Sequence, residues 1–377
     1  MALSTIQPKE DRPLSSQEKE TIRASAEATL KNLEASIDPF APSWVAADGK
    51  GTSSTTSSRC QFFNTHGFWV EREFVDSSTV QNLKQQMIDL ATYDWDPDQA
   101  LDGFGTDAKS NVARGDYFLD SSDTVHYFAE NSALQQQGGS DTNDESTKEV
   151  SKLLKPEFQT NRIAALNKAG HAMHNREGAF RDYTLSKQMN DLVQDLGWKD
   201  PVVPQSMYIF KQPKIGATVH SHQDSTFLYT TPRQTCLGLW LALDDASLEN
   251  GCLWVRPGSH REPVRRQFIR NPEYFEQENT DAPKLSFVSH TQGQLSWEGA
   301  LPPSLEGFLP VEVKAGDLVT FCGTLDHWSL PNFSESQRHT FQLHLVEGPS
   351  EGVSWSPSNW LQYPSGKDFL RLRPQTR

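Results

Sequence analysis

The sequence predicts a mainly β protein with flanking helices, built as an antiparallel sandwich, jelly roll or barrel. From Val202 onward, short apolar runs are separated by Gly, Pro, Asn and Asp, which is typical of such folds. The strand Leu237–Leu243 is apolar on both faces, so we expect helices to cover one face and the barrel interior the other. The predicted strands are Met207–Phe210, Phe227–Tyr229, Leu237–Leu243, Gly251–Val255, Val311–Val313, Leu318–Phe321 and Thr340–Val346.

Helices are predicted to precede these strands. Asp76–Ser78 offers an N-cap to a helix whose apolar residues recur at helical spacing through residues 80–90. A second helix, from about Ser186 to Leu196, has Gly197 as its C-cap. We therefore expect the helices in the first half of the folded body and the strands in the second.

The domain organisation predicted from composition has three parts. Residues 1–58 are polar and form an accessory, flexible N-terminal arm, 59–365 a single folded domain, and 366–377 a C-terminal tail. Within the arm, Ser15 and Glu18 make a capping box ahead of apolar residues at helical spacing, which predicts one short helix. Gly, Ser and Thr dominate Gly49–Arg59, which indicates a linker.

The charge balance is acidic and limits the classes of partner. The chain carries 35 Lys+Arg against 49 Asp+Glu, a net charge of −14. Since basic residues do not cluster among aromatic ones, neither nucleic acid nor an anionic membrane is expected as a partner. A small-molecule substrate is expected instead, and an oligomer is possible but not indicated.

Cysteine usage and the termini indicate a cytoplasmic protein. Three of the four cysteines lie in apolar runs and the chain has no C-x-x-C pair, which predicts buried thiols in a reducing compartment. The sequence shows no secretory signal pattern, no peroxisomal address at its C-terminus and no apolar run near the ~18 residues that span a bilayer. The cysteines are Cys60, Cys236, Cys252 and Cys322.

The candidate site begins at His222 and Asp224, the one His-x-Asp triplet among 11 histidines. On a strand these side chains project from one face and can bind one ion together. Two histidines and one carboxylate, with open positions left, are typical of non-haem Fe(II) oxygenases. His327 is favoured as the second histidine because it lies between two predicted strands. Arg338, at the start of the last strand, could pair bidentately with a carboxylate beside the metal.

Other histidines remain open alternatives. His220 could compete as a ligand, although a polar residue at a strand edge is the commoner explanation. His260 closes a Pro-Gly-Ser-His turn and is expected to be structural. His344 shares the face of Arg338, so it either lines the pocket or is a hydrogen-bonded wall residue. His290 and His339 are weaker candidates for the second ligand.

Several of these stretches resemble the phytanoyl-CoA dioxygenase family, in particular its domain-containing proteins. The resemblance runs from about Phe62 to Leu361 and leaves the N-terminal arm outside. The matching stretches are Gln205–Pro213, His222–Asp224, Leu248–Trp254, Pro257–His260, His327 with Arg338, and Trp355–Leu361.

The resemblance implies a double-stranded β-helix core, which is a cupin-like jelly roll, that uses Fe(II), O2 and 2-oxoglutarate, with ascorbate as reductant in vitro. Position by position it makes His222, Asp224 and His327 the catalytic metal ligands. Arg338 would bind the distal carboxylate of 2-oxoglutarate. The further cosubstrate contacts that it implies are Lys168, Met207, Gln223 and Trp240. Of these, Lys168 lies outside the predicted strands, where most lysines are solvated, and Met207 and Trp240 suit a core equally well.

The function so predicted is hydroxylation, or desaturation, of a small or medium-sized organic substrate with release of succinate and CO2. An intact Asp224 argues against halogenation, which needs that ligand position vacant. The segments Arg265–Gly307 and Gly103–Asp116 are expected to be loops over the barrel mouth that define the substrate pocket. The alternatives are a catalytically retired jelly roll that binds a metabolite, and a metal-dependent hydrolase on the same barrel.

Overall fold

The computed structural model describes residues 2–46, 57–98, 101–136, 152–290, 295 and 297–372. The helices are α1 Ser16–Ala35, α2 Ser58–His66, α3 Ser77–Asp94, α4 Ala108–Val112, α5 Asp116–Asp120, α6 Ala179–Thr184, α7 Lys187–Asp195 and α8 Pro272–Phe275. The strands before residue 200 are β1 Phe68–Glu71, β2 Asp102–Phe104, β3 Val125–Glu130, β4 Leu134–Gln136, β5 Lys152–Leu154 and β6 Leu166–His171. The later strands are β7 Pro201–Ile209, β8 Val219–His222, β9 Thr230–Thr231, β10 Leu237–Ala242, β11 Leu253–Val255, β12 Arg266–Arg270, β13 Leu285–Ser289, β14 Leu309–Val311, β15 Leu318–Cys322, β16 His327–Ser329, β17 Thr340–Glu347, β18 Ser354–Trp355 and β19 Leu370–Arg371.

Two sheets form the core. The larger sheet has the order β1-β15-β10-β17-β7-β6-β3-β2, with β19 beside β7, and the smaller has the order β14-β11-β16-β8. Pairing in both sheets is antiparallel except between β2 and β3. Side chains from both sheets line one cavity. This arrangement confirms the predicted jelly-roll core with flanking helices.

Side chains along β10 and β17 point alternately into the cavity and into the hydrophobic core. Trp240 of β10 is paired with Gln342 of β17, and both line the cavity. Leu239 and Leu343, one position away, are fully buried in a hydrophobic cluster with Met87 of α3. The prediction that Leu237–Leu243 is covered on both sides is thus confirmed.

Both predicted helices of the folded body are present. Asp76 caps α3 by accepting a hydrogen bond from the backbone of Thr79, and Ser186 caps α7 in the same way. Gly197 follows α7 with φ of +106°, a conformation that favours glycine. These local signals are confirmed because each cap is completed within a few residues of the chain.

The predicted order of helices first and strands later is wrong. Strands β1, β3 and β6, all before Val202, belong to the larger sheet, whereas Phe227–Tyr229 is not a strand. Strand β6 reads Leu-Asn-Lys-Ala-Gly-His, which has little apolar alternation. Its place in the sheet depends on pairing with β7 and β3, which are distant in sequence.

The N-terminal arm packs against the folded domain and is not the flexible accessory that was predicted. Helix α1 is 20 residues long, and the capping box at Ser15 and Glu18 is present. Ile6, Leu14 and Ile22 are buried in a cluster that includes Trp328 of the smaller sheet. The arm reads as polar because its outer face is solvated, while its apolar stripe covers the barrel. Most of the predicted linker Gly49–Arg59 lies outside the described residues.

We expect Ile22→Ala to lower the free energy of unfolding by about 2–5 kcal/mol, because it leaves a cavity in that cluster. Leu30→Ala is the matched control, since Leu30 lies on the same helix and is 39% exposed. Urea denaturation of the full chain measures both variants. Equal, small effects would restore the view of the arm as an accessory.

The segment Arg265–Gly307 is not the structureless loop that was predicted. Strands β12 and β13 form an antiparallel hairpin. Phe268 and Leu285 of that hairpin are fully buried in a cluster with Phe118 and Trp360. In the part of the segment that the structure describes, no side chain lines the cavity. The hairpin therefore supports the cavity wall from outside.

All four cysteines are buried and none forms a disulfide, as predicted. Among the helices in the described ranges, none combines the length and apolarity needed to cross a bilayer.

Candidate active site

The smaller sheet brings the two predicted histidine ligands together. Strands β8 and β16 pair so that His222 lies directly opposite His327, with ring centroids 4.2 Å apart. Asp224 follows at the start of a 3-10 turn, and its Oδ1 lies 3.4 Å from His222 Nε2 and 3.5 Å from His327 Nε2. One ligand atom from each residue falls within 4.8 Å of the others. In the described part of the chain, this trio is the group that could hold a metal.

Backbone carbonyls select the tautomer of both histidines. His222 Nδ1 lies 2.7 Å from the carbonyl oxygen of His220, and His327 Nδ1 lies 3.0 Å from that of Leu325. Since a carbonyl only accepts, each Nδ1–H donates and each Nε2 keeps a lone pair for an ion. Burial lowers the pKa of His327 to about 4, which favours the neutral ligand form. This donor set fits Fe(II).

Asp224 is buried and held ionised by its neighbours. Burial by itself raises the pKa of this carboxyl group, but His327 and His344 hold it well below its usual range. His344 Nε2 lies 3.1 Å from Oδ2 of Asp224, and His344 also lines the cavity. Both alternatives left open for His344 therefore hold, because it is a wall residue that also orients a ligand.

We expect His344→Ala to weaken Fe(II) binding by about 10- to 100-fold, the usual effect of losing a group that orients a metal ligand. Anaerobic Fe(II) titration measures it. His260→Ala is the control, because His260 is buried against the backbone oxygen of Asn64 outside the cavity lining. An unchanged affinity in His344→Ala would assign His344 to the wall alone.

Arg338 is one of the residues that line a cavity of about 150 Å³ between the two sheets. The Arg338 residue is 2% exposed, and its guanidinium carbon lies 5.2 Å from the ring of Trp240. Burial lowers the pKa of Arg338 to about 10, so the group stays cationic at neutral pH. Its Nε has no hydrogen-bond partner, and no carboxylate within the described ranges forms an ion pair with it. A buried, unpaired cation is costly unless a ligand supplies the anion.

Lys211 and Ser329 are site residues that sequence reasoning missed. Lys211 Nζ donates to the backbone oxygen of Ala217 at 2.8 Å and to Ser329 Oγ at 2.9 Å, and both side chains line the cavity. Burial, together with the charge of Arg338, lowers the pKa of Lys211 well below its usual range. A lysine that directly follows the apolar run of β7 was the signal that could have identified it.

Three of the four further cosubstrate candidates reach the cavity. Lys168, Met207 and Trp240 line it, whereas Gln223 does not. Lys168 lies within β6 and is buried, contrary to the expectation of a solvated residue. Its Nζ lies 2.7 Å from His171 Nε2 and 3.8 Å from Met207 Sδ.

Gln223 does not reach the cavity, contrary to the predicted cosubstrate contact. It is completely buried, donates to the backbone oxygen of Thr324 at 2.8 Å and accepts from the backbone N–H of Arg265 at 3.2 Å. Because side chains alternate along an extended chain, the residue between His222 and Asp224 points away from the ion. Gln223 thus links the metal-binding turn to the backbone of Thr324 and Arg265.

Two further predictions concern His220 and the segment Gly103–Asp116. His220 is occupied by Thr106 Oγ1 at 2.9 Å and Glu10 Oε1 at 2.8 Å, so it does not join the trio. In the segment Gly103–Asp116, side chains of Thr106, Asn111 and Arg114 line the cavity, as predicted. The segment is not simply a loop, however, because it contains the end of β2 and helix α4.

Comparison with known proteins identifies the family. The sequence model of the family described as phytanoyl-CoA dioxygenase (PhyH) matches residues 63–340. The chain belongs to the phytanoyl-CoA dioxygenase family. A phytanoyl-CoA dioxygenase of Arabidopsis thaliana is 34% identical over 325 residues, which cover 86% of this chain and 99% of the relative. Phytanoyl-CoA dioxygenase domain-containing protein 1 of Rattus norvegicus is 40% identical over 247 residues, or 66% of this chain and 73% of the relative.

Membership of the phytanoyl-CoA dioxygenase family confirms the predicted enzyme class, an iron- and 2-oxoglutarate-dependent oxidoreductase. Among solved structures, the epimerase SnoN, in complex with Fe3+, alpha ketoglutarate and nogalamycin RO, superposes with a TM-score of 0.51 at 13% identity. The match covers 84% of this chain and 97% of SnoN, and it confirms the fold.

Proposed function

We propose that this protein is an Fe(II)- and 2-oxoglutarate-dependent dioxygenase that hydroxylates a small or medium-sized organic substrate, with release of succinate and CO2. One observation carries the proposal: a two-histidine, one-carboxylate trio and an unpaired buried arginine share a single cavity. The trio suits Fe(II), and the arginine suits a carboxylate cosubstrate.

The trio would hold iron from one side. Tautomers set by the carbonyls of His220 and Leu325 point both Nε2 atoms at one position, and Asp224 adds a negative charge. Bound there, iron would supply O2 activation, coupled to oxidative decarboxylation of 2-oxoglutarate and transfer of one oxygen atom to the substrate. An ionised Asp224 at the third position favours hydroxylation, or its desaturation variant, over halogenation.

Arg338 would bind the distal carboxylate of 2-oxoglutarate through its planar fork. Trp240 limits the movement of the guanidinium by stacking, and Lys211, held by the backbone oxygen of Ala217 and by Ser329, adds a hydrogen-bond donor in the same cavity. Lys168 and Met207 would contact the cosubstrate from the neighbouring strands. The cavity volume is small, so the reacting part of the substrate enters it without a bulky carrier group.

The test is anaerobic addition of Fe(II) and then 2-oxoglutarate to the full chain. We expect a metal-to-ligand charge-transfer band, followed by slow succinate formation once O2 and ascorbate are admitted. Zn(II) replaces Fe(II) in the control and should give neither signal. If Fe(II) and 2-oxoglutarate produce neither the band nor succinate, the protein is a binding module or a hydrolase instead.

A further inference from the structure

A second cluster of basic side chains, Arg114 and Lys168, lines the cavity apart from Arg338. The guanidinium carbon of Arg114 lies 4.2 Å from the ring centroid of Phe104 and 4.2 Å from that of Phe118. Lys168 Nζ lies 3.6 Å from the centroid of the same Phe104 ring. Two basic side chains therefore share one phenyl ring, and burial together with the charge of Arg114 lowers the pKa of Lys168 well below its usual range.

Neither Arg114 nor Lys168 has a charged partner among the described residues. Arg114 donates one N–H to the backbone oxygen of Gly105 at 2.9 Å, which leaves most of its five donors unused. Lys168 donates to a neutral ring nitrogen of His171. Asp102 attracts both cations from a distance, but no carboxylate in the described part of the chain forms an ion pair with either.

The charges of the other cavity residues and of the expected cofactors also leave Arg114 without a partner. The described lining has four basic and two carboxylate side chains: Arg114, Lys168, Lys211 and Arg338, with Glu130 and Asp224. Burial lowers the pKa of Lys168 and Lys211 well below its usual range, whereas the pKa values of Arg114 and Arg338, about 9 and about 10, keep both guanidiniums cationic at neutral pH. Fe(II) adds two positive charges and 2-oxoglutarate two negative ones. With Asp224 assigned to the metal and Arg338 to 2-oxoglutarate, the charge of Arg114 stays without a partner. The remaining ligand, the primary substrate, is the component that can offset it.

We propose that Arg114 binds a carboxylate of the primary substrate and that the rings around it hold the apolar body of that substrate. The inference rests on the proposed function and names the substrate class for the same site. Arg114 follows α4, and part of its side chain stays accessible, so the head group lies where the cavity opens. Phe118 and Trp360 stack at 4.3 Å beside it and form an aromatic wall.

A carboxylate suits this position better than a larger anion. Stacking on two rings holds the guanidinium plane, which leaves its fork for planar, bidentate pairing. The small volume of the cavity favours a compact head group over a coenzyme thioester. The substrate class is therefore a free organic acid with an apolar, preferably aromatic, body.

The experiment measures binding by calorimetry to the full chain loaded with Fe(II) and 2-oxoglutarate, without O2. The probes are 3-phenylpropionate, dodecanoate, the methyl ester of each, 3-phenylpropyl phosphate and dodecanoyl-CoA. We expect at least one carboxylate to bind about tenfold or more tightly than its ester, and Arg114→Gln to abolish that preference. Arg114→Lys should restore part of it, because the charge returns without the fork.

Arg266→Gln is the matched control, since it removes a guanidinium stacked on Phe287 at 4.1 Å outside the cavity lining. It should keep the wild-type preference for the carboxylate. The proposal is overturned if no carboxylate binds better than its ester, if only the phosphate or the thioester binds, or if Arg114→Gln keeps the preference.

Binding of 2-oxoglutarate in the same samples separates this inference from the proposed function. The charge-transfer band should be equal in wild type and Arg114→Gln. Loss of the band in Arg114→Gln alone would assign Arg114 to the cosubstrate and overturn only the substrate inference. Absence of the band from wild type would overturn the proposed function itself.

Discussion

Asp224→Ala is expected to weaken Fe(II) binding by at least about a hundredfold and to reduce Fe(II)-dependent succinate formation to background. The carboxylate supplies one of three protein ligands and the only negative charge among them. The loss should exceed the roughly 10- to 100-fold typical of removing a group that only orients a ligand, because a ligand itself is removed. Anaerobic Fe(II) or Mn(II) titration measures the affinity.

His222→Ala and His327→Ala should behave like Asp224→Ala, since each removes an Nε2 aimed at the same position. His260→Ala should keep wild-type metal affinity, which separates a ligand from a buried structural histidine. The thermal midpoint of each variant, recorded without metal, shows whether the fold survives. Wild-type affinity in all three ligand variants would remove the trio from the metal site.

Arg338→Ala is expected to weaken 2-oxoglutarate binding by about 30- to several-thousand-fold while Fe(II) affinity stays near wild type. Truncating one member of a desolvated, hydrogen-bonded charge pair costs about 2–5 kcal/mol, which corresponds to that range. Arg338→Lys should be intermediate, because it keeps the charge but not the fork. The charge-transfer band of the Fe(II) form, titrated without O2, gives the affinity.

Stability supplies an independent control for Arg338. A buried guanidinium without a carboxylate partner is a cost to the ligand-free fold, so Arg338→Leu should be at least as stable as wild type when ligands are absent. Added 2-oxoglutarate and Fe(II) should then raise the thermal midpoint of wild type more than that of the variant. A strongly destabilised Arg338→Leu would indicate a structural arginine, and unchanged 2-oxoglutarate binding in Arg338→Ala would favour the binding-module alternative.

The sequence by itself determined the features whose signals are local. The triplet at His222 and Asp224 follows from side-chain alternation over three residues, and the caps at Ser15, Asp76 and Ser186 are each completed within one helical turn. Their positions relative to the predicted strands favoured His327 and Arg338, and the family resemblance then gave each its role; the structure brings both to the same cavity as the triplet.

Only the tertiary structure decided the features that depend on pairing between distant segments. The register of β8 against β16 placed His327 opposite His222, and the pairing of β6 with β7 buried Lys168 in a strand that composition does not reveal. Local alternation sends Gln223 away from the ion, but only the fold shows what it then contacts. The N-terminal helix looked accessory because its buried stripe is narrow and its partner surface lies about 230 residues away in the chain, as in the hydrogen bond from Lys19 to Glu249. Arg114 could be recognised only in three dimensions, because an unpaired cation is defined by the charges that the folded chain does not bring to it.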